Sequence, residues 1–448
     1  MLPRGRNEKS MFDTFNRILD SYWRKLLNTF WFVPGLISLI GPLLASFFLN
    51  LDHSFHPDQG MFVFSGGVTE ANTILSTIAG SLITVAGLAF SITIVVLQLV
   101  SSEYTPRALR GFLQDRVTQV VAGGFFAIFA YSLIVLAGVR ESSSADAGFL
   151  PVVSITIAIG LGFLGLVLLL IFVHHTGRVI QVSDIAARLT AQTIQAISLP
   201  SAAEWKNEAL QGKEVSRLIQ TWRAEDVSER IRATRPGYVQ RIELAPLFTS
   251  HLFVGLHARF LVCPGDFVTE ETVIAEIWPA RIVNEDCRKT VHKNIVIERE
   301  RDIAQDVRFG IRQLADIALR ALSPAVNDPT TGVLCIKYLQ AVFEHFVQQE
   351  PQPGIYRFVG ESGGLEIRQP AFQEYLEVFP EIGLYAGGNV RVIETLLMVL
   401  ANIAKVAIRL KKQDYQDALA EVVATLVAQS TVNGMILSNG AVVQKDQA

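Results

Sequence analysis

Four stretches of this chain, Phe30 to Leu49, Ile74 to Val100, Val117 to Val139 and Phe149 to Val173, contain no Asp, Glu, Lys or Arg. A helix of about 20 apolar residues crosses the ~30 Å hydrocarbon of a bilayer. In lipid the backbone must bond within its own segment, so each run is expected to be a helix. The first run is read as an uncleaved anchor. A charged leader from Met1 to Thr29 precedes it, and no small-x-small cleavage site follows it. The basic flanks set the orientation. Arg4, Arg6, Lys9, Arg17, Arg24 and Lys25 precede the first run, Arg107, Arg110 and Arg116 follow the second, and Arg178 and Arg188 follow the fourth. Asp52 to Thr73 carries no Lys or Arg, and the third connection carries only Arg140. Both termini are therefore expected in the cytoplasm. In the leader (1–29), Phe12, Phe15, Leu19, Tyr22, Trp23, Leu26 and Leu27 recur at helical spacing among basic residues. They predict an amphipathic helix lying on the inner leaflet or packed on a soluble domain.

Charge is concentrated outside the four runs. Only 18% of the 448 residues are charged, and the net charge of -3 excludes a strongly basic nucleic-acid footprint. Cys263, Cys287 and Cys335 all follow the last run, at spacings that fit neither a zinc site nor a disulfide framework. They are expected to be reduced packing residues.

The second run says most about function. As a helix it would extend about 40 Å, more than the hydrocarbon thickness, so it tilts or protrudes. Thr77, Thr84, Ser91 and Gln98 recur every seven residues, with Ser81, Gly80 and Gly87 on or beside the same face. A stripe of hydroxyls and glycines either lets another helix approach closely or lines a wet path. The runs hold no ionisable group of the kind proton coupling and voltage sensing use. Ala122, Gly123, Gly124 and Ala130 in the third run, with Gly160, Gly162 and Gly165 in the fourth, permit tight helix packing. His174 and His175 close the fourth run, where they are expected to complement the helix dipole, the alternative being a pH-sensing or metal-binding role.

The remainder is expected to be a cytoplasmic α+β region. A helical connector (176–233) ends at Pro236-Gly237. Short alternating runs then predict a small β module (234–285): Tyr238 to Ile242, Leu252 to Val254, Ala258 to Val262, Phe267-Val268 and Val273 to Ile277. Gly237-Tyr238-Val239 and Pro264-Gly265-Asp266-Phe267-Val268 resemble the half-motifs of lipoyl-type hammerhead domains. No lysine occurs between Lys213 and Lys289, so no covalent carrier role follows and no cofactor is expected. An α-rich domain (286–448) begins with a helix from about Glu298 to Leu322 and includes a β-hairpin near 355–368. Further helices are expected at about Ala371 to Val378, Val390 to Lys411 and Tyr415 to Ala428.

Within that domain Asp306, Arg308, Arg312, Asp316, Asn327 and Asp328 offer a polar cluster. It is either a ligand site or an ion-paired, capped helix-turn-helix, since Arg312 and Asp316 lie four apart and Asp328-Pro329 suits a helix start. No Walker loop, nucleophile elbow or zinc helix occurs, and His251 and His257 lack a third ligand. No enzyme activity or metal site is expected.

Several segments together resemble the bacterial membrane-protein family designated domain of unknown function 2254. They are Gly80-Ser81 through Gly87-x-x-Phe90-Ser91-Ile92-Thr93, Ser101-Ser102-x-Tyr104-x-Pro106-Arg107, and the two β-module motifs above. Gln305-Asp306-Val307-x-Phe309-Gly310 and Ala321-Leu322-Ser323-Pro324-x-x-Asn327-Asp328-Pro329 are the most specific. The resemblance covers about residues 15 to 430 and departs at Arg235, where a smaller residue is expected. It implies an inner-membrane protein with no settled activity. The functional expectation is a homo-oligomer in the lipid bilayer, channel-like or transport-associated, with the stripe of Thr77, Ser81, Thr84, Gly87, Ser91 and Gln98 on the pathway. The alternative is a membrane-anchored regulatory protein that binds a small ligand, ion or partner at the polar cluster.

Overall fold

The computed structural model describes residues 31–54, 64–103, 115–140, 149–179, 181–198, 227–249, 251–253, 255–349, 355–357, 364–432, 435–438 and 441–444. The N-terminal amphipathic segment lies outside them. The chain divides into two compact units, Met1–Asp184 and Ile185–Ala448.

The first unit contains four helices long and apolar enough to cross a membrane: Phe32–Ser54, Val68–Leu99, Arg116–Gly138 and Val152–Arg178. Each corresponds to one uncharged run, but the helices extend past the runs. The second continues to Glu103 and the fourth to Val179, while a turn at Leu39 interrupts the first. Hydropathy marks the stretch that lipid covers, whereas backbone bonding carries a helix on until a cap or breaker stops it. At the start of the second helix, Glu70 Oε2 accepts the Gly67 amide at 2.9 Å.

The third helix is the hub and packs against the other three. Toward its C-terminus, Tyr131 and Val135 pack in one apolar cluster with Ala45, Leu75, Ile155 and Ala158. Toward its N-terminus, Val121, Phe125 and Ile128 meet Leu82, Ala86, Ala89 and Phe172. Small residues permit the approach, because helix association in lipid depends on short-range dispersion contacts. A Cβ on Gly41 would overlap the Ala127 carbonyl, and one on Gly123 would lie 2.8 Å from Ile37 Cβ. Gly124 abuts Leu168 and Gly165 abuts Leu82, whereas Gly160 has nothing within 4 Å of its Cβ position. Apolar side chains such as Leu43, Phe47, Leu166 and Leu170 cover the outer surface.

The second unit is mixed α/β with small sheets and a helical C-terminal part. Strands β1 (Glu229–Arg232), β2 (Gly237–Ile242), β3 (His257–Phe260), β4 (Phe267–Val268), β5 (Val273–Trp278) and β6 (Ile295–Glu298) precede the hairpin β7 (Ile355–Arg357) and β8 (Gly364–Ile367). One sheet has the order β1-β5-β3-β8-β7 and another β4-β2-β6. The β3–β8 pairing is parallel, with Ala258 opposite Leu365, and the other pairs in these two sheets are antiparallel. Val239, Phe260, Val268, Ile274, Ile277 and Leu365 form a common core.

Several elements differ from expectation. Glu229–Arg232, assigned to the helical connector, is a strand, because its alternate residues can bury Ile231 against β5. Leu252 lies in a 3-10 turn, His251–Phe253. The expected helix from Glu298 starts at Val307, where Asp306 caps it and accepts the Phe309 amide at 3.0 Å. The Glu285–Asn294 helix and β6 fill the segment before it. Later helices are Pro329–Gln348, Phe372–Leu376, Val378–Tyr385, Val390–Arg409 and Gln413–Val432. Their core includes Leu314, Leu339, Phe343, Phe379, Leu396 and Ile403.

The glycine contacts make a paired prediction. Gly41→Ala forces a methyl group into the Ala127 backbone and is expected to lower stability by about 1–3 kcal/mol. Gly160→Ala, with open space around it, is expected to leave the melting temperature of detergent-solubilised protein unchanged.

Candidate functional site

The second helix presents two opposite faces. Leu75, Ala79, Leu82, Ala86, Ala89 and Val96 are buried in the bundle, whereas Thr77, Ser81, Thr84, Gly87, Ser91 and Gln98 are all exposed. At about 100° per residue the polar stripe points away from the packed face. No heavy atom lies within 4 Å of the Cβ positions of Gly80 or Gly87. Thr77 donates to the Thr73 carbonyl at 2.6 Å and Thr84 to the Gly80 carbonyl at 2.8 Å. Their protons are committed to the helix, and their oxygens keep outward lone pairs. Among the described residues the stripe forms no packing seam within one chain, and lipid, water or another chain can meet it.

Polar ties join the first, third and fourth helices at one end of the bundle and the third and fourth at the other. Asp52 is only 6% exposed and lies in the first helix, three residues past the run's last apolar residue at Leu49. Its carboxylate accepts the Val153 and Ser154 amides, both at 2.9 Å, and the Ser154 hydroxyl at 2.6 Å. It is thus the N-cap of the fourth helix, supplied from the first. Tyr131 of the third helix donates to the Ser154 carbonyl at 3.0 Å, and His53 stacks on Phe149 with ring centroids 3.9 Å apart. At the other end Asp115 caps the third helix through the Thr118 amide, and His175 of the fourth meets the same carboxylate at 2.7 Å. His175 thus acts by a specific pairing, while His174 is exposed.

Sequence reasoning missed the Asp52 tie because the hydrophobic run stops at Leu49. A usable signal did exist: Phe149-Leu150-Pro151 supplies no Ser, Thr, Asp or Asn to cap the fourth helix, so a cap must come from elsewhere.

In the second unit the expected polar cluster resolves into separate pairings. Asp306, 2% exposed, takes a two-pronged contact from Arg301, Nε to Oδ2 at 2.7 Å and Nη2 to Oδ1 at 3.0 Å. Arg308 Nη2 donates to Asp266 Oδ1 at 2.7 Å and to the Pro264 carbonyl at 3.2 Å, and Nη1 reaches Glu374 at 3.3 Å. Arg312 bridges Asp316 at 2.6 Å and Glu381 at 2.5 Å. Asp328 caps the Pro329–Gln348 helix, and Asn327 holds a left-handed φ of 47° in the turn before it.

Burial pushes the Asp306 carboxyl up, against the pull of Arg301. Burial also pushes Asp266 up, but the Cys263 amide and Arg308 outweigh it and hold this carboxyl below the ordinary value. Burial drives the Cys263 thiol up to about 12, so it stays protonated and is a poor nucleophile. These charges neutralise one another and clamp the Pro264–Asp266 turn onto the Val307–Ala321 helix. Asp266, Glu374 and Glu381 were not anticipated as members, because their partners lie far away in sequence; Arg301 was missed although Asp306 is five residues away. Among the described residues no group of three His, Cys, Asp or Glu side chains is placed to hold a metal.

Four span-length apolar helices joined to a mixed α/β unit define a membrane protein of the polytopic helical class. The chain belongs to the family described as predicted membrane protein DUF2254, whose model matches residues 27–402. It is 30% identical over 356 residues to the uncharacterized proteins Mb1321c of Mycobacterium bovis and Rv1290c of Mycobacterium tuberculosis. That alignment covers 77% of this chain and 65% of each relative, so the chain spans less than two thirds of their length. No solved structure matches it.

The clamp gives a pH-dependent prediction. A carboxyl held low in the fold contributes stability that is present above its unfolded value, near ~3.9. That contribution is lost as pH falls through the lower folded value. Acid unfolding of the full chain, followed by tryptophan fluorescence, is expected to be shallower in Asp266→Asn than in the wild type. Arg308→Lys keeps the charge but loses the fork, and is expected to cost about 1–3 kcal/mol.

Proposed function

We propose that the protein is a homo-oligomer of the bacterial inner membrane, channel-like or transport-associated, in which second helices from several copies surround a pathway. The exposure of the Thr77-to-Gln98 stripe opposite the packed face carries this reading. From Thr77 to Gln98 the helix rises roughly 32 Å, close to the ~30 Å hydrocarbon thickness. Thr77 and Thr84 hydroxyls bonded to their own helix are tolerated against lipid tails, so the Gln98 amide and the exposed glycines are what favour water or a neighbouring helix here. Around a common axis the same groups gain water or a neighbouring helix. Leu88, Ile94 and Val95, exposed beside the stripe, supply apolar contacts between copies.

The sidedness follows from the basic flanks, which favour both termini in the cytoplasm. There the short strands from Gly237 to Trp278 serve as a lipoyl/hammerhead-like structural module, with no lysine to carry a prosthetic group. The proposal assigns the protein no catalytic step. No specific observation favours the regulatory alternative, since Asp306, Arg308, Arg312 and Asp316 are all engaged in ion pairs.

The test is ion flux through full-length protein in liposomes, at rest and under membrane tension. Wild type is expected to conduct, and Thr84→Leu with Ser91→Leu is expected to reduce flux at least tenfold. A wild type silent under both conditions sinks the proposal.

A further inference from the structure

We infer that the pathway takes small monovalent cations in preference to anions, with Glu70 at its outer mouth. This rests on the pathway reading above and adds the class of solute to it. Glu70 continues the heptad series of Thr77, Thr84, Ser91 and Gln98 by one step, and it is exposed as they are. At 100° per residue it lies about 20° around the helix from Thr77, so it heads the stripe. Its Oε2 accepts the Gly67 amide at 2.9 Å. That bond holds the side chain beside the first turn, and a carboxylate has lone pairs to spare beyond it. Copies around a common axis each bring one Glu70, which makes a ring of carboxylates of the kind found in cation channels.

The hydroxyls that follow point to the same class. Thr73, Thr77 and Thr84 are exposed, and they lie within about 40° of one another around the helix. Thr73 donates to the Thr69 carbonyl at 2.8 Å, Thr77 to Thr73 at 2.6 Å and Thr84 to Gly80 at 2.8 Å. A hydroxyl has one proton, so these three offer lone pairs outward. Lone pairs replace the water around a cation, whereas an anion needs donors. Farther along, the Gln98 amide adds a carbonyl oxygen as well as its hydrogens.

Charge along the helix agrees. Val68–Glu103 holds Glu70 and Glu103 and no Lys, Arg or His. The connection before it, 52–73, has no Lys or Arg, and Arg107 and Arg110 follow the helix's other end. A mouth with one sign of charge raises the local concentration of counter-ions and speeds their entry. Within 74–100 every side-chain oxygen is neutral. Conduction needs binding weak enough to release the ion, and neutral oxygens suit a monovalent one. Calcium is held largely by carboxylates, and magnesium gives up its water reluctantly.

The test is current recording from full-length protein in planar bilayers under tension, across a tenfold KCl gradient. The reversal potential is expected to show potassium favoured over chloride by at least about fivefold. Glu70→Gln keeps an oxygen for the Gly67 amide and removes the charge, and is expected to lower that preference at least twofold. Thr77→Val with Thr84→Val keeps the side-chain volume and removes two oxygens, and is expected to lower potassium conductance at least threefold. A wild type that passes chloride as freely as potassium overturns the inference and leaves the pathway reading standing. A potassium preference and conductance that both variants keep intact overturn it in the same way. A wild type that carries no current sinks the pathway reading and this inference with it.

Discussion

The close approach of the third span-length helix to its neighbours is the contact on which the first unit depends. Gly41 rests on the Ala127 backbone, and Gly123 rests on Pro34 and Ile37. In lipid an apolar side chain gains nothing from leaving solvent, so helices stay together through dispersion at short range and a few directed bonds. Glycine supplies the first by letting backbones nearly touch. Asp52 and the Asp115–His175 pair supply the second, each at a helix N-terminus where the unpaired amides and the dipole favour a carboxylate.

The second unit solves the opposite problem. There water drives the burial of Phe260, Val268, Ile277 and Phe343, and charge is used for alignment. The Pro264–Asp266 turn meets the Val307–Ala321 helix through Arg308, and Gly265 is needed at that point. Its φ of 95° lies in the left-handed region, and a side chain there would strike the Asp306–Arg301 pair. Parallel pairing of β8 with β3 then ties residues around Leu365 into a sheet begun more than a hundred residues earlier. The turn, the clamp and the late strand therefore hold one another in register.

A functional asymmetry emerges within the four-helix unit. Asp52 and the Asp115–His175 pair join the first, third and fourth helices, and the second packs alanine and leucine on one side and leaves hydroxyls, glycines and an amide on the other. Its packed face seats it in the bundle, with Leu82 against Gly165, and its open face gives it something to meet. It is also the region where the family resemblance begins, in Gly80-Ser81 to Thr93.

The number, order and approximate places of the apolar helices were legible in the sequence, because absence of charge over about 20 residues is a local property with one structural consequence. Asp328 as a helix start was legible for the same reason, since a cap lies beside the amides it serves, whereas Asp306 was read inside a helix begun at Glu298. The strand at Glu229–Arg232 and the sheet partner of Leu365 were not, because strand pairing is chosen between distant segments. Asp52 was set aside as a residue outside the first run, and only the folded bundle brings it to Val153. The sequence by itself determined that the stripe from Thr77 to Gln98 shares one helical face, since 3.6 residues per turn is fixed by the backbone. Only the tertiary structure decided that this face points out of the bundle, because the direction of a face depends on which side of the helix its neighbours cover.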